Sequence, residues 1–171
     1  MYIDQRFFLN DSVLEYVDEF SYLGHVITSN FKDEKDICRH YRFLCIKGNM
    51  LKIKFSTCNA EVKIQLFRSF CSTLYGGALW SRYTQLSMTR LKVIYNNAFR
   101  FLMKYPIYCS ASEMFVSNRV KSFNEVRRTV NYSLMKRCTE SSNSLIQAIM
   151  TSDCTVYSTI QREWSRTLFL F

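Results

Sequence analysis

Two groups of neighbouring carboxylates stand out first: Asp18 with Glu19, and Asp33 with Glu34 followed by Asp36. Clustered carboxylates could hold the two divalent ions of a nucleotidyl-transfer site, which needs at least two of them beside the reacting ends. Neither group lies in an aromatic-x-Asp-Asp hairpin. The first falls at an expected turn and the second where a helix is expected to start, so turn formation and helix capping account for both. Nucleophilic catalysis would need a Ser or Cys beside a base, and His25 and His40 are the only histidines available for that role. No G-x-S-x-G turn, phosphate-cradling glycine loop or H-E-x-x-H pair occurs. The seven cysteines (Cys38, Cys45, Cys58, Cys71, Cys109, Cys138 and Cys154) include no C-x-x-C pair and lack the histidines of a tetrahedral zinc set. The residues therefore offer no catalytic group, metal centre, cofactor site or small-molecule substrate site, and the chain is not expected to be an enzyme.

The pattern that does carry chemistry is basic. Lys63, Arg68, Arg90, Lys92, Arg100, Lys104, Arg127 and Arg128 recur on successive expected helices, interleaved with Tyr83, Tyr95 and Phe99. Cations placed in this way can lie along a phosphate backbone and position it without reading sequence. Charge distribution supports the same partner. Residues 1–31 hold one base, Arg6, against five acids, whereas Glu61 to Arg137 hold 13 bases against 3 acids. An excess of that size creates a field that attracts polyanions, and nucleic acid, as a duplex or an RNA/DNA hybrid, is the expected ligand.

Those cations need elements to hold them. The opening segment reads as β structure: a strand over Arg6–Leu9, a turn at Asn10-Asp11-Ser12, a strand over Val13–Val17, and a third over Phe20–Thr28. From Asp33 the apolar period becomes helical, with Ile37, Tyr41, Leu44, Cys45 and Leu51 inward and Asp33 able to cap. A second helix is expected from Asn59, running through Leu66, Phe67, Phe70, Cys71, Leu74, Tyr75 and Ala78 to Trp80, with Gly76-Gly77 marking a kink or close packing. A third spans Met88 to Lys104, with Leu91, Ile94, Tyr95, Ala98 and Leu102 inward, and Pro106 stops it. Ser110 to Glu113 has capping-box spacing for a short helix. Phe123, Val126, Val130 and Leu134 form the stripe of the next, and Leu145–Met150 and Val156–Leu168 read as terminal helices anchored by Trp164.

Composition fits such a chain. At 171 residues, 48% hydrophobic and 16% aromatic, it has enough buriable surface for one domain-sized core rather than a disordered segment. Four Gly and one Pro are too few for the turns of an all-β fold. No stretch approaches the roughly 20 apolar residues that span a bilayer, so no membrane role is expected. The odd cysteine count and an opening without a signal-peptide pattern point to an intracellular, reducing setting, nucleus and cytoplasm not being distinguished.

Three segments together resemble a known family. Phe20-Ser21-Tyr22-Leu23-Gly24-His25-Val26-Ile27 is similar to the F-x-Y-L-G-x-x-I strand that follows the catalytic hairpin of LINE-type, non-LTR retrotransposon reverse transcriptases. Asp36-Ile37-x-Arg39 and the segment from Lys63 to Trp80, with Leu74-Tyr75-Gly76 before Leu79-Trp80, resemble that family's thumb region. Asn96-Asn97-Ala98-Phe99-Arg100-Phe101-Leu102 is similar to its next helix. The resemblance covers about Phe7 to Arg137. It implies that residues 1–31 form a palm edge with a primer-grip-like hairpin, that residues 32–138 form a thumb-like helical bundle, and that residues 139–171 are a helical extension. It also implies that the thumb holds template and primer, and that fingers, palm and the metal-binding aspartates belong upstream of Met1 as the natural structural neighbour.

The expectation is thus a mainly α fold, a small N-terminal antiparallel β element followed by a helical bundle, acting as a noncatalytic, thumb-like nucleic-acid-binding fragment. The alternative is a helical protein-interaction module, or a relic with no nucleic-acid role.

Overall fold

The computed structural model describes residues 7–152 and 155–169. Arg6, where the first strand is expected to begin, and Cys154 lie outside the described residues. The described chain is mainly helical, with two small antiparallel hairpins at its start. Strands β1 (Phe8–Leu9) and β2 (Ser12–Val13) pair across Asn10 and Asp11, and β3 (Glu19–Tyr22) pairs with β4 (His25–Thr28) across Leu23 and Gly24. Both connections have two central residues at positive φ: Asn10 at 49° and Asp11 at 62°, Leu23 at 46° and Gly24 at 77°. That is the mirror-image turn whose twist suits a tight hairpin.

The hairpins correct the sequence reading in two places. The second strand ends at Val13 rather than Val17, and Phe20–Thr28 is two strands folded on each other rather than one. The β-branched and aromatic run is continuous in sequence, so only Gly24 signals the reversal.

Helix α1 (Glu34–Lys54) buries Asp36, Ile37, His40, Leu44, Gly48 and Leu51 along one stripe. Tyr41, expected inside, stands at its edge, while His40 and Gly48 take inward positions. Gly48 is small for a reason: a Cβ there would lie 3.0 Å from the Cβ of Ala98, where α3 (Gln85–Met103) crosses. Asp33 starts α1 but makes no side-chain cap, because its carboxylate is used elsewhere.

Helix α2 (Ala60–Phe70) is capped by Asn59, whose side chain accepts from the Val62 N–H. It ends ten residues short of the expected Trp80; the chain turns at Cys71 and re-forms as a single 3-10 turn over Gly77–Leu79. Gly76, at φ 73°, makes this break possible, and a Cβ on it would fall 1.5 Å from His25 Cε1. The Gly-Gly pair therefore marks close packing and the end of regular helix, and Leu74, Ala78 and Trp80 reach the core from irregular backbone.

Helix α3 begins under Thr84 and ends at Lys104, which adopts a left-handed conformation at φ 61°. Short helix α4 (Ala111–Ser117) follows Pro106, but Ser110 makes no side-chain cap; the capping box sits instead at Ser122 and Glu125, opening α5 (Phe123–Thr139). Helices α6 (Ser144–Thr151) and α7 (Thr155–Phe169) complete the described chain.

The core is an aromatic cluster. Phe67 meets Tyr95 and Phe99 edge-on at 5.1 and 4.8 Å, and Phe115 stacks on Phe99 at 5.2 Å. Burying each such ring contributes on the order of 1.5–3 kcal/mol, with edge-to-face geometry adding to it. Trp164 anchors α7 as expected: it is buried, and its indole N–H donates to the Ala78 carbonyl at 2.8 Å. Among the described residues no helix is long and apolar enough to cross a membrane.

Candidate nucleic-acid interface

The eight cations singled out in the sequence are distributed over different roles. Arg90, Lys92 and Lys104 stand exposed on or just beyond α3. Arg90 lines a groove with Glu34 and Tyr41 of α1, whereas Lys92 lies two residues on and so projects from a different face of the helix. Arg128 is exposed on α5. Arg68 is exposed on α2, and its guanidinium donates to the Arg119 carbonyl at 2.7 Å.

The other three are drawn into the fold. Lys63 is 8% exposed, and its ammonium donates to the Ser56 carbonyl at 2.9 Å, tying the α1–α2 connection to α2. Arg100 is half-buried and donates to Asn97 Oδ1 and the Cys109 carbonyl at 2.6 and 3.1 Å. Arg127 pairs with Glu163 of α7 at 2.6 Å and donates to the Tyr83 hydroxyl at 2.8 Å. Glu163 also accepts from the Tyr83 hydroxyl and pairs with Arg166 at 2.8 Å, so this buried carboxylate fixes α7 against α5.

The aromatic half of the pattern is core. Tyr95 and Phe99 are fully buried, and Tyr83 is half-buried with its hydroxyl bound to Glu163; burial and that carboxylate push the Tyr83 phenol above its ordinary pKa. Helical spacing placed Tyr95 inward, and Phe99 next to Ala98 shares that stripe. None of the three offers a face on which a base could stack.

The sequence reading missed two cations at the surface, Arg119 and Lys121. They sit in the turn between α4 and α5, where no periodic stripe marks them. They line one cleft with Arg68.

A second centre gathers the three segments of the family resemblance. Asp36, 2% exposed, accepts from Arg39 Nε at 2.8 Å, the Trp80 indole N–H at 2.8 Å and the Val26 backbone N–H at 3.1 Å. Burial works against its ionisation, but these donors prevail and hold the carboxyl below the usual carboxylate range. His25 Nδ1 lies 3.4 Å from the same carboxylate, and the His25 ring stacks on Tyr75 at 5.3 Å. His40 packs edge-on against Trp80 and donates from Nε2 to the Tyr75 carbonyl at 2.6 Å, which leaves buried Nδ1 without a hydrogen and without a partner. Burial depresses the His40 pKa.

Neighbouring acids are consumed in the same way. Asp33 accepts from the Ser81 and Arg82 N–H groups at 2.8 and 2.7 Å, and Glu34 from the Thr84 N–H at 2.8 Å. The carboxylates that sequence alone could have offered to metal ions instead seat the 81–84 segment on α1. Among the described residues no group of three His, Cys, Asp or Glu side chains is arranged to hold a metal ion.

Comparison of the chain with known family models, curated proteins and solved structures returned no match.

Proposed function

We propose that this chain is a noncatalytic, thumb-like module that binds nucleic acid, as a duplex or RNA/DNA hybrid, through its phosphates and without sequence specificity. The observation that carries this reading is the charge of the helical region: from Glu61 to Arg137 there are 13 bases against 3 acids, and one of those acids, Glu125, is bound back into a capping box. The exposed cations Arg68, Arg90, Lys92, Lys104 and Arg128 supply phosphate contacts. Lys63 and Arg127, whose charges are used internally, position helices instead.

Family origin in a non-LTR retrotransposon reverse transcriptase is part of the same proposal. It is supported by the meeting of the F-x-Y-L-G, D-I-x-R and L-Y-G segments around one carboxylate, since unrelated coincidences of sequence have no reason to interlock. On this reading Phe8, Leu9, Leu14, Tyr16 and Val17, exposed on the acidic first hairpin and just after it, face a protein neighbour such as the palm.

The test is a charge reversal at Arg90 and Lys92 with a labelled RNA/DNA hybrid as ligand. Binding by the wild-type chain that weakens tenfold or more in Arg90→Glu/Lys92→Glu supports the reading. Equal displacement by an acidic polypeptide would favour a protein-interaction module.

A further inference from the structure

Arg68, Arg119 and Lys121 come from α2 and from the α4–α5 turn, yet all three line one cleft of about 370 Å³. No carboxylate lines it. Its remaining polar groups are the hydroxyls of Ser72 and Thr129, and Val126 and Val130 give it an apolar wall. We propose that this cleft is a phosphate-binding site, the point at which the chain grips one phosphate of a nucleic-acid strand; the assignment of the strand rests on the function proposed above.

The geometry favours a phosphate because the cations are arranged before any ligand arrives. The turn carrying Arg119 and Lys121 is pinned from several directions. The Arg119 N–H donates to Val116 at 3.0 Å, and the Val120 N–H to Phe115 at 2.9 Å. The Arg119 carbonyl accepts from Arg68 at 2.7 Å, and the Lys121 carbonyl accepts from the buried Tyr95 hydroxyl at 2.8 Å. Asn118 is tied to the Tyr105 hydroxyl and the Met114 carbonyl. Arg119 itself holds a left-handed conformation, φ 52°, which a bulky side chain adopts at a cost.

Preorganisation of this kind lowers the entropic cost of binding. Lys121 Nζ rests on Thr129 Oγ1 at 3.1 Å, and Arg68 keeps guanidinium donors beyond the one spent on Arg119. Three cations around one concave surface exceed what a single carboxylate would neutralise, and fork-shaped guanidinium donors match the oxygens of a phosphate. Glu125, the one acid in the first turn of α5, is turned back onto Ser122, which donates to it from its backbone N–H at 2.6 Å.

Isothermal titration of the full chain tests this with two probes, inorganic pyrophosphate and a short RNA/DNA hybrid, against wild type, Arg119→Gln/Lys121→Gln and Arg68→Gln. The control is Arg42→Gln/Lys54→Gln, which removes the same charge from exposed positions of α1. The expected result is pyrophosphate binding to wild type and control, lost at least tenfold in both cleft variants, with the hybrid's salt slope reduced by about 1 per cation removed. Circular dichroism melting that matches wild type assures that each variant is folded; Arg68→Gln serves where the turn variant melts early. Pyrophosphate binding lost in the cleft variants, without any hybrid binding by wild type, would retain the cleft and sink the nucleic-acid reading. A folded wild type that binds no pyrophosphate, or cleft variants that bind both probes as the control does, would overturn the cleft.

Discussion

The Trp80 indole N–H donates to Asp36 Oδ2 at 2.8 Å across 44 residues of sequence, inside the buried zone where the β3–β4 hairpin, α1 and the 3-10 turn meet. This bond is one of three that converge on a single carboxylate, so the account treats Asp36 as the joint between hairpin and bundle.

Asp36→Ala should therefore destabilise the chain by about 3 kcal/mol, because it strands the Arg39, Trp80 and Val26 donors in a buried place. Urea unfolding monitored by tryptophan fluorescence gives the value. A loss under about 1 kcal/mol would mean that the joint is dispensable.

Gly76→Ala should be more damaging than an exposed Gly→Ala change. Residue 76 needs positive φ, and its new Cβ would collide with the His25 ring. The expected outcome is displacement of His25, lost His25–Tyr75 stacking and a lower melting temperature; Gly76→Ala melting like wild type contradicts the packing.

Acid sensitivity should begin at His40. Burial holds its folded pKa below the ordinary 6.5, so as pH falls the unfolded chain takes up that proton first. Stability from this site is present above about pH 6.5 and is lost as pH falls through the window below it. Asp33, whose pKa burial raises, acts in the opposite sense over the carboxylate range, and Asp36, held low, adds a loss only at still lower pH. Melting temperatures at about pH 7.5 and 5.5 should differ less in His40→Gln than in wild type. An unchanged difference would remove His40 from the explanation.

Lys63→Gln separates structure from binding. Its ammonium is spent on the Ser56 carbonyl, so the change should lower stability by about 1–3 kcal/mol while leaving the salt slope of nucleic-acid binding where it was. A slope that falls by about 1 would place Lys63 among the phosphate contacts after all.

Much of this architecture was legible beforehand because it is written in period and punctuation. The stripes of α3 and α5, the stop at Pro106 and the Trp164 anchor follow from local spacing and one large aromatic. What was illegible depends on partners distant in sequence. Nothing near Asp33 says that its carboxylate will seat Ser81 and Arg82 rather than cap α1, and nothing near Lys63 says that its charge will be buried. Phe70 to Trp80 keeps a helical pattern of apolar residues although the backbone there is irregular, because Gly76 must yield to His25. The cations suffered most: charge is visible in sequence, but whether a cation faces solvent or another residue is decided by tertiary packing, and Arg119 and Lys121 lie in a turn that carries no period at all.

The central claim, that the basic helical region binds nucleic-acid phosphates, is tested most directly by fluorescence anisotropy of a labelled RNA/DNA hybrid titrated with the chain over a range of salt. The account predicts that the logarithm of affinity falls linearly with the logarithm of salt, with a slope of about −4, and that unrelated hybrid sequences bind alike. A folded, monomeric chain that fails to bind at low salt, or one whose binding is insensitive to salt, would contradict it.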